Sequence, residues 1–326
     1  MDALKIINAP LEAVDVKDIT LHQGACCMSF GFDVKPLIRS IERIGLINPP
    51  IVMKERQGRA EIISGYRRIL ALKSLGWDRI PCRIPSISAL DGLLVNLYEN
   101  LSTRDLNLVE KGMILSRLTA WLPTTEILLR YMPLLNLPSH EPILTFFVRL
   151  ETELDGQTKH RLIQGRLSLQ GIRMLLDLEP SSRFPLLDLI TTLRLNVNQQ
   201  KKLMEYLVDI SKRDSLSISQ LLQDPKITEI RTDEALNTPQ KARAVLRFLR
   251  ASRFPILVNA EKVFKRNVSR LGLPEGIEIV PSPFFESSKY QLKAVFTNGK
   301  ELREKIEAMS RVEGLEDLKD PWGAGM

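Results

Sequence analysis

The 326-residue chain has 44% hydrophobic and 26% charged residues, which is the usage of a folded, water-soluble protein. No run approaches the roughly 18 apolar residues that a membrane span requires, so the sequence excludes an integral helical membrane protein. The net charge of +7 favours an anionic partner. At roughly 150 residues per domain the length predicts two or three domains, and we expect three.

The first residues and the cysteines indicate the compartment. The start of the chain, MDALKIINAPLEAVDV, lacks a basic segment followed by an apolar one, so we expect a cytoplasmic protein. Cys26, Cys27 and Cys82 are an odd number with two adjacent, which predicts buried thiols and no disulfide framework. The three histidines lie far apart, so the sequence has no zinc-binding spacing.

Residues 1–106 alternate short strands with short helices. Apolar and polar residues alternate over 13–21, which predicts an edge strand, and helical spacing predicts a helix that ends before Gly45. Further strands are predicted at 49–55, 60–64 and 78–86, and further helices at 65–76 and 88–102. This order predicts a compact α/β domain.

The pattern of residues 107–225 is almost wholly helical, with leucine-rich amphipathic segments between Pro, Gly, Asn and Ser boundaries. Six helices are predicted, at 108–122, 124–137, 140–154, 156–165, 167–178 and 197–214. The polar stretch 223–240 is predicted to be a linker or an irregular connection. The remaining residues, 226–326, are predicted to form a small mixed α/β domain with basic helices.

The stretch IISGYRRILALKSLG, residues 62–76, predicts a strand, a tight turn and a helix. Such a turn points the first N–H groups of the helix, and its positive dipole end, at whatever lies in front of it. Gly65 lets a ligand approach the backbone, Ser64 adds a hydroxyl, and the guanidinium groups of Arg67 and Arg68 suit phosphate oxygens. Taken alone, the stretch fits either a phosphate site or a solvated corner.

Three segments resemble, in order and spacing, the signature boxes of the ParB N-terminal domain family. They are RSIERIGLINPPIVMKE, AEIISGYRRILALKSLGWDRIPCRI and YENLSTRDLNLVEKG, and the resemblance covers about residues 13–115. It implies a fold shared with sulfiredoxin and a site for cytidine triphosphate with Mg²⁺.

The resemblance also implies site residues. Ser64, Gly65, Arg67 and Arg68 match the turn that holds the triphosphate in the family. Glu99 and Asn100 match a Glu-Asn pair close to the phosphates and their Mg²⁺, so Asn100 is the implied metal ligand. Asn48 stands where the family usually has Gln, and its amide can form the same hydrogen bonds.

Two departures from the family pattern change what we expect of this site. Tyr66 replaces a Glu implicated in nucleotide hydrolysis, and a phenol cannot accept a proton as a carboxylate does, so we expect binding without hydrolysis and no catalytic residue. Thr103 replaces an arginine, and Arg104 follows one place later. Since one helical step is about 100°, Arg104 need not reach the same ligand. No thiol stands in the turn, so sulfiredoxin-type chemistry has no support.

In ParB proteins a helical domain with a DNA-reading helix-turn-helix follows, and residues 124–154 occupy that place. The candidate recognition helix offers His140, Thr145 and Arg149 to base edges, but it carries Glu141 near its start. A helix pair buried in the domain core explains the pattern equally well. The helix-turn-helix is therefore predicted in degenerate form.

The segment 241–270 carries nine basic residues against one acid, Glu261. Solvated charged faces usually interleave acids, so we predict sequence-independent binding of DNA phosphates, with a plain solvated face as the alternative. The predicted DNA-binding residues are Arg243, Arg247, Arg250, Lys262, Lys265 and Arg266. ParB proteins usually end in a dimerising domain, so the resemblance also implies a homodimer.

Together these features predict a multidomain chain, α/β plus all-α: a ParB/sulfiredoxin-like domain (1–106), a helical domain (107–225) and a basic α/β domain (226–326). The predicted function is DNA binding in chromosome or plasmid partitioning, or in a regulatory derivative, in a nucleoid-associated protein. Two alternatives stay open. One is a phosphotransferase or nuclease that uses Glu99 as its acid/base, and the other is a protein-interaction module that has lost its ligand.

Overall fold

The computed structural model describes residues 6, 8–54, 58–165, 167–287 and 289–318. The chain divides into two compact units, residues 1–192 and 193–326. The helices predicted over 107–225 fall on both sides of this division, and the three-domain boundaries stay a prediction.

A four-stranded mixed sheet forms the base of the first unit. Its strands are β1 (Leu11–Asp15), β2 (Ile51–Lys54), β3 (Ala60–Ser64) and β4 (Arg79–Arg83). Their order is β1-β4-β2-β3, with β2 parallel to β4 and the two other pairs antiparallel. The predicted edge strand is shorter than expected, because a 3-10 turn at Val16–Asp18 ends it. The mixed α/β sheet is otherwise confirmed.

Three helices flank this sheet, and their apolar sides complete its core. They are α1 (Lys35–Ile44), α2 (Tyr66–Ser74) and α3 (Ala89–Thr103). Val52 and Ile62 of the sheet and Ile69 and Leu72 of α2 are fully buried in one cluster. Burial of side chains of this size contributes about 1.5–3 kcal/mol each. This packing fixes the start of α2 at the end of β3.

The rest of the first unit is helical. Its helices are α4 (Leu108–Leu118), α5 (Thr124–Glu126, a π turn at Ile127–Tyr131, and Met132–Leu134), α6 (Glu141–Glu153), α7 (Gly156–Gln164), α8 (Leu169–Leu176) and α9 (Pro180–Thr192). The sequence did not predict α9, because Pro185 lies inside it. Burial of Leu186, Leu187 and Leu189 compensates for the hydrogen bond that this proline cannot donate.

The second unit begins with helices and ends with a small sheet. Its elements are α10 (Val197–Asp214), α11 (Ile218–Leu222), α12 (Pro225–Thr232), α13 (Thr238–Arg253), α14 (Pro255–Arg270), β5 (Ile277–Pro281), β6 (Tyr290–Ala294) and α15 (Gly299–Met309). The predicted linker at 223–240 is wrong, because α12 lies within it. Asp224 caps α12 by accepting from Lys226 N, and Ile227 and Ile230 are buried.

No helix in the described ranges combines the length and the apolar composition needed to cross a bilayer.

Candidate anion-binding site

The turn between β3 and α2 exists in this form because residue 65 is glycine. Gly65 has φ +90°, and a Cβ there would lie 3.0 Å from the Pro50 Cα. No side chain caps α2, which begins at Tyr66. Its first N–H groups therefore have no partner within the helix, and its positive dipole end faces outward.

This turn opens into a cleft of about 280 Å³ that gathers all the predicted phosphate-site residues. These are Asn48, Ser64, Gly65, Arg67, Arg68, Glu99 and Asn100. Residues far apart in sequence thus meet in one place. Their assignment to phosphate binding stays a prediction.

Arg68 lies across the cleft and is held at both terminal nitrogens. Nη1 donates to the Asn48 backbone oxygen at 2.8 Å, and Nη2 donates to Glu99 Oε1 at 2.6 Å. Nη2 also lies 3.4 Å from Ser64 Oγ, and Ser64 is buried. Asn48 thus accepts from Arg68 through its backbone oxygen and Ser64 through its hydroxyl, and their predicted roles toward a phosphate stay predictions.

Arg67 is oriented by a residue to which sequence reasoning gave no role. Its Nη2 donates to Glu110 Oε1 at 3.1 Å, and its Nε donates to Ser29 Oγ at 2.7 Å. The guanidinium also lies over the Phe32 ring, 4.6 Å from its centroid. The remaining terminal nitrogen makes no hydrogen bond to a described residue.

Glu110 is fully buried and accepts from three segments of the chain. Arg104 forms a two-pronged pair with it, donating to Oε2 at 2.6 Å and at 2.8 Å to Oε1, the oxygen that also accepts from Arg67. The backbone N–H groups of Phe30 and Asn107 donate to the same carboxylate, each at 3.1 Å. Such a set of donors is what allows a charge to be buried. In the sequence, the feature that could have pointed to Glu110 is its position as the last Glu of the third signature box.

We expected from a 100° helical step that Arg104 need not reach the same ligand, but α3 already ends at Thr103. Arg104 has extended backbone, with φ −163° and ψ 163°, so the 100° helical step does not apply to it. Its Nε donates to Asn100 Oδ1 at 3.0 Å, and its side chain lines the cleft. An arginine shifted by one position therefore reaches the same cleft.

A loop ahead of α1 closes the remaining side of the cleft. Cys27, Met28 and Ser29 line it and are buried. Burial raises the pKa of the Cys27 thiol to about 12, so it stays protonated at neutral pH and supplies no nucleophile. Tyr66 packs edge-on against Phe32, 5.9 Å between ring centroids, and adds no carboxylate.

Electrostatically the cleft suits an anion. Three guanidinium groups face two carboxylates, those of Glu99 and Glu110. Burial, and then the neighbouring charge of Arg104, lower the pKa of Arg67. A bound anion would offset the repulsion between the positive charges of Arg67 and Arg104.

The same residues fit a metal ion less well. Asn100 Oδ1 accepts from Arg104, and Glu99 accepts from Arg68, so guanidinium groups occupy the oxygens that Mg²⁺ would need. In the described part of the chain no three His, Cys, Asp or Glu side chains cluster closely enough to hold a metal. The Mg²⁺ expectation stays a prediction, and the residues present favour phosphate.

The candidate recognition helix, α6, uses one side for packing. Phe146, Phe147 and Leu150 are buried, while His140 and Thr145 are exposed. Arg149, predicted to face DNA, forms ion pairs with Glu153 at 2.7 Å and with Asp177 at 3.1 Å. The polar residues left for base edges are few, and the helix-turn-helix stays a prediction.

The basic residues of the second unit divide into paired and unpaired ones. Arg250 forms a two-pronged ion pair with Glu261, at 2.7 Å and 2.5 Å, so its charge is offset within the fold. The other five predicted DNA-binding residues are exposed; they are Arg243, Arg247, Lys262, Lys265 and Arg266. None of these five forms an ion pair with another described residue. Buried Ala242, Val245 and Leu249 hold the opposite side of α13 in the fold. We call the five exposed residues the basic surface.

Comparison with known proteins identifies the first part of the chain. Residues 10–101 match the family model of the ParB N-terminal domain, which confirms the resemblance. A nucleoid occlusion protein of Bacillus licheniformis is 28% identical over 182 residues, 55% of this chain and 62% of the relative. A probable chromosome-partitioning protein ParB of Vibrio cholerae is 26% identical over 197 residues, 60% of this chain and 65% of the relative. The chain thus covers less than two thirds of both relatives.

Among solved structures, the C-terminally truncated chromosome-partitioning protein ParB of Caulobacter crescentus, complexed with CTP-γ-S, is 18% identical. The match covers 55% of this chain and 97% of that chain, with a TM-score of 0.27. The same protein complexed to the centromeric parS site is 17% identical, with a TM-score of 0.33.

We predict that Glu110→Ala destabilises the first unit by about 3–5 kcal/mol, because it leaves two guanidinium groups and two backbone N–H groups without their acceptor. Glu99→Ala removes a half-exposed partner and should cost at most about 1 kcal/mol. Urea unfolding gives the loss, and hydrogen exchange at residues 28–31 and 104–110 locates it. Equal losses in the two variants would contradict the central role of Glu110.

Proposed function

From the ParB N-terminal domain at residues 10–101, we propose that the chain is a DNA-binding protein of the partitioning type. Its cleft holds the triphosphate of a nucleotide, CTP by family resemblance, and the nucleotide acts as a switch on a dimer. The observation that carries this proposal is that every residue assigned to the phosphate site from sequence lines one cleft.

The nucleotide part rests on the donors of this cleft. Tyr66 and Arg67, the first residues of α2, line the cleft together with Arg68 and Arg104, and one terminal nitrogen of Arg67 has no hydrogen bond to a described residue. Backbone donors at a helix N-terminus together with guanidinium groups form a common phosphate-binding arrangement. Because no carboxylate stands at position 66, the proposal is binding without hydrolysis.

We predict that CTP releases heat on binding to the wild type and that Arg67→Ala weakens this binding roughly tenfold or more, through loss of a charge-assisted contact. Arg39→Ala serves as the control, since Arg39 is an exposed arginine on α1 outside the cleft. Calorimetry with four nucleoside triphosphates gives the affinities, and phosphate release in the same samples should stay at background. If the wild type releases no heat with any nucleotide, the result favours the alternative of a protein-interaction module that has lost its ligand.

The DNA part rests on the basic surface. Its five cations are exposed and form no ion pair with a described residue, so each can approach a DNA phosphate without breaking such a pair. Contacts of this kind release counterions from DNA and carry no sequence information. The proposal is therefore a largely sequence-independent contribution, and the names of the two curated relatives agree with a role at the nucleoid.

We predict that Arg243→Ala with Arg247→Ala weakens binding of duplex DNA and lowers the slope of log K against log salt by about 1.8, since each phosphate contact contributes about 0.9. Lys201→Ala with Lys202→Ala makes the same charge change on exposed residues of α10, outside the basic surface. Fluorescence anisotropy at several salt concentrations gives both slopes. If both double variants change the slope equally, net charge and not this surface governs binding.

The dimer part rests on an apolar groove in the second unit. It has a volume of about 320 Å³, and Leu292 of β6 and Ile306 of α15 line it while 58% and 61% exposed. In the described residues β6 pairs with β5 alone, so its other edge is open. An apolar groove beside an open strand edge suits a second copy of the chain.

We predict that Leu292→Asp converts a dimer into a monomer, because it places a charge in the groove. Ile256→Asp is the matched control, since Ile256 is 71% exposed on α14 and lies outside the groove. Sedimentation equilibrium of both variants measures the oligomeric state. A wild type that sediments as a monomer, or a Leu292→Asp variant that stays dimeric, would rule out this interface.

A further inference from the structure

Glu99 is an acidic side chain inside a cleft built for anions. Its Oε1 lies 2.6 Å from Arg68 Nη2, and the two side chains are 37% and 18% exposed. Glu110, the acid that pairs with Arg67 and Arg104, is fully buried and accepts from several donors. Glu99 alone of these two can leave its arginine without leaving a buried charge unpaired.

The donors of Arg68 show what an incoming phosphate must displace. Nη1 is engaged with the Asn48 backbone oxygen, and Nη2 with Glu99 and Ser64. A guanidinium group binds a phosphate best through two parallel N–H groups, and here the ion pair with Glu99 already takes one side of the fork. Phosphate and Glu99 therefore compete for the same nitrogen.

Resting on the proposed nucleotide site, we infer that Glu99 is a built-in competitor that holds Arg68 until a phosphate group replaces it. The carboxylate lowers the affinity of the cleft for polyphosphate and keeps Arg68 oriented across it. When the anion binds, Glu99 turns out to solvent, which its exposure allows. A residue that helps to hold the phosphates raises the affinity of the cleft for them, whereas Glu99 in this role lowers it.

A change from Glu99 to Gln keeps the size of the side chain and removes its charge. The loss of a half-exposed ion pair, together with the loss of repulsion between carboxylate and phosphate, should raise affinity about three- to tenfold. The gain should depend on Arg68, because Arg68 is the group for which the two anions compete.

Calorimetry without divalent cations tests this, with CTP and then inorganic triphosphate as probes. Four proteins are compared: the wild type, Glu99→Gln, Arg68→Ala, and the double variant. Glu42→Gln is the matched control, because Glu42 is an exposed acid on α1 and its substitution makes the same charge change. The inference expects tighter binding by Glu99→Gln, no change in Glu42→Gln, and no gain from Glu99→Gln in the Arg68→Ala background.

The outcomes separate this inference from the proposed function. If the wild type binds and Glu99→Gln binds equally or more weakly, the competitor role is overturned while the nucleotide site stands. A gain that persists without Arg68 also overturns it, since general charge would then explain the effect. If no protein releases heat of binding with either probe, both the nucleotide site and the competitor role are overturned.

Discussion

The buried carboxylate of Glu110 is the constraint on which the cleft depends. It joins the start of α2 through Arg67, the end of α3 through Arg104, and the loop ahead of α1 through the Phe30 N–H group. A charge without solvent must be paired on all sides, so these segments cannot separate without a large cost. Two arginines that would otherwise repel each other are thereby fixed at one wall of the cleft before any ligand arrives, and a preorganised site loses less entropy on binding.

This arrangement answers how a cleft can bind an anion when its arginines already have partners. The ion pairs of Glu110 and Glu99 differ in how deeply the acid is buried. Glu110 is buried and pairs with one terminal nitrogen of Arg67, whereas Glu99 pairs with Arg68 Nη2 and is exposed enough to move. One acid therefore builds the site, and the other moderates it. The sequence alone could not distinguish these roles, because both residues belong to the same signature segment and differ only in burial.

What the sequence predicted well was local or carried by the family pattern. The strand, turn and helix around Gly65 follow from a glycine that no other residue could replace without contact with Pro50. What it missed depends on contacts distant in sequence, such as Ser29 with Arg67, or on a helix end, as for Arg104. The helices α9 and α12 were missed for a related reason. Proline and polar residues argue against a helix locally, and the burial of leucines and isoleucines that outweighs them is visible only in the fold.

The two sets of cations in this chain are organised in opposite ways, and the difference indicates what each can recognise. In the cleft every arginine is held by an acid or an amide, so the donors have fixed positions and suit a ligand of one shape. On the basic surface the cations are exposed and form no ion pair within the described ranges, which suits a repeating polyanion whose phosphates need no single geometry. Arg250 belongs to the same basic segment of the sequence, but its charge is offset by the ion pair with Glu261. It is therefore not part of the basic surface. Whether a cation is paired within the fold therefore distinguishes the set suited to a compact phosphate ligand from the set suited to a long nucleic acid.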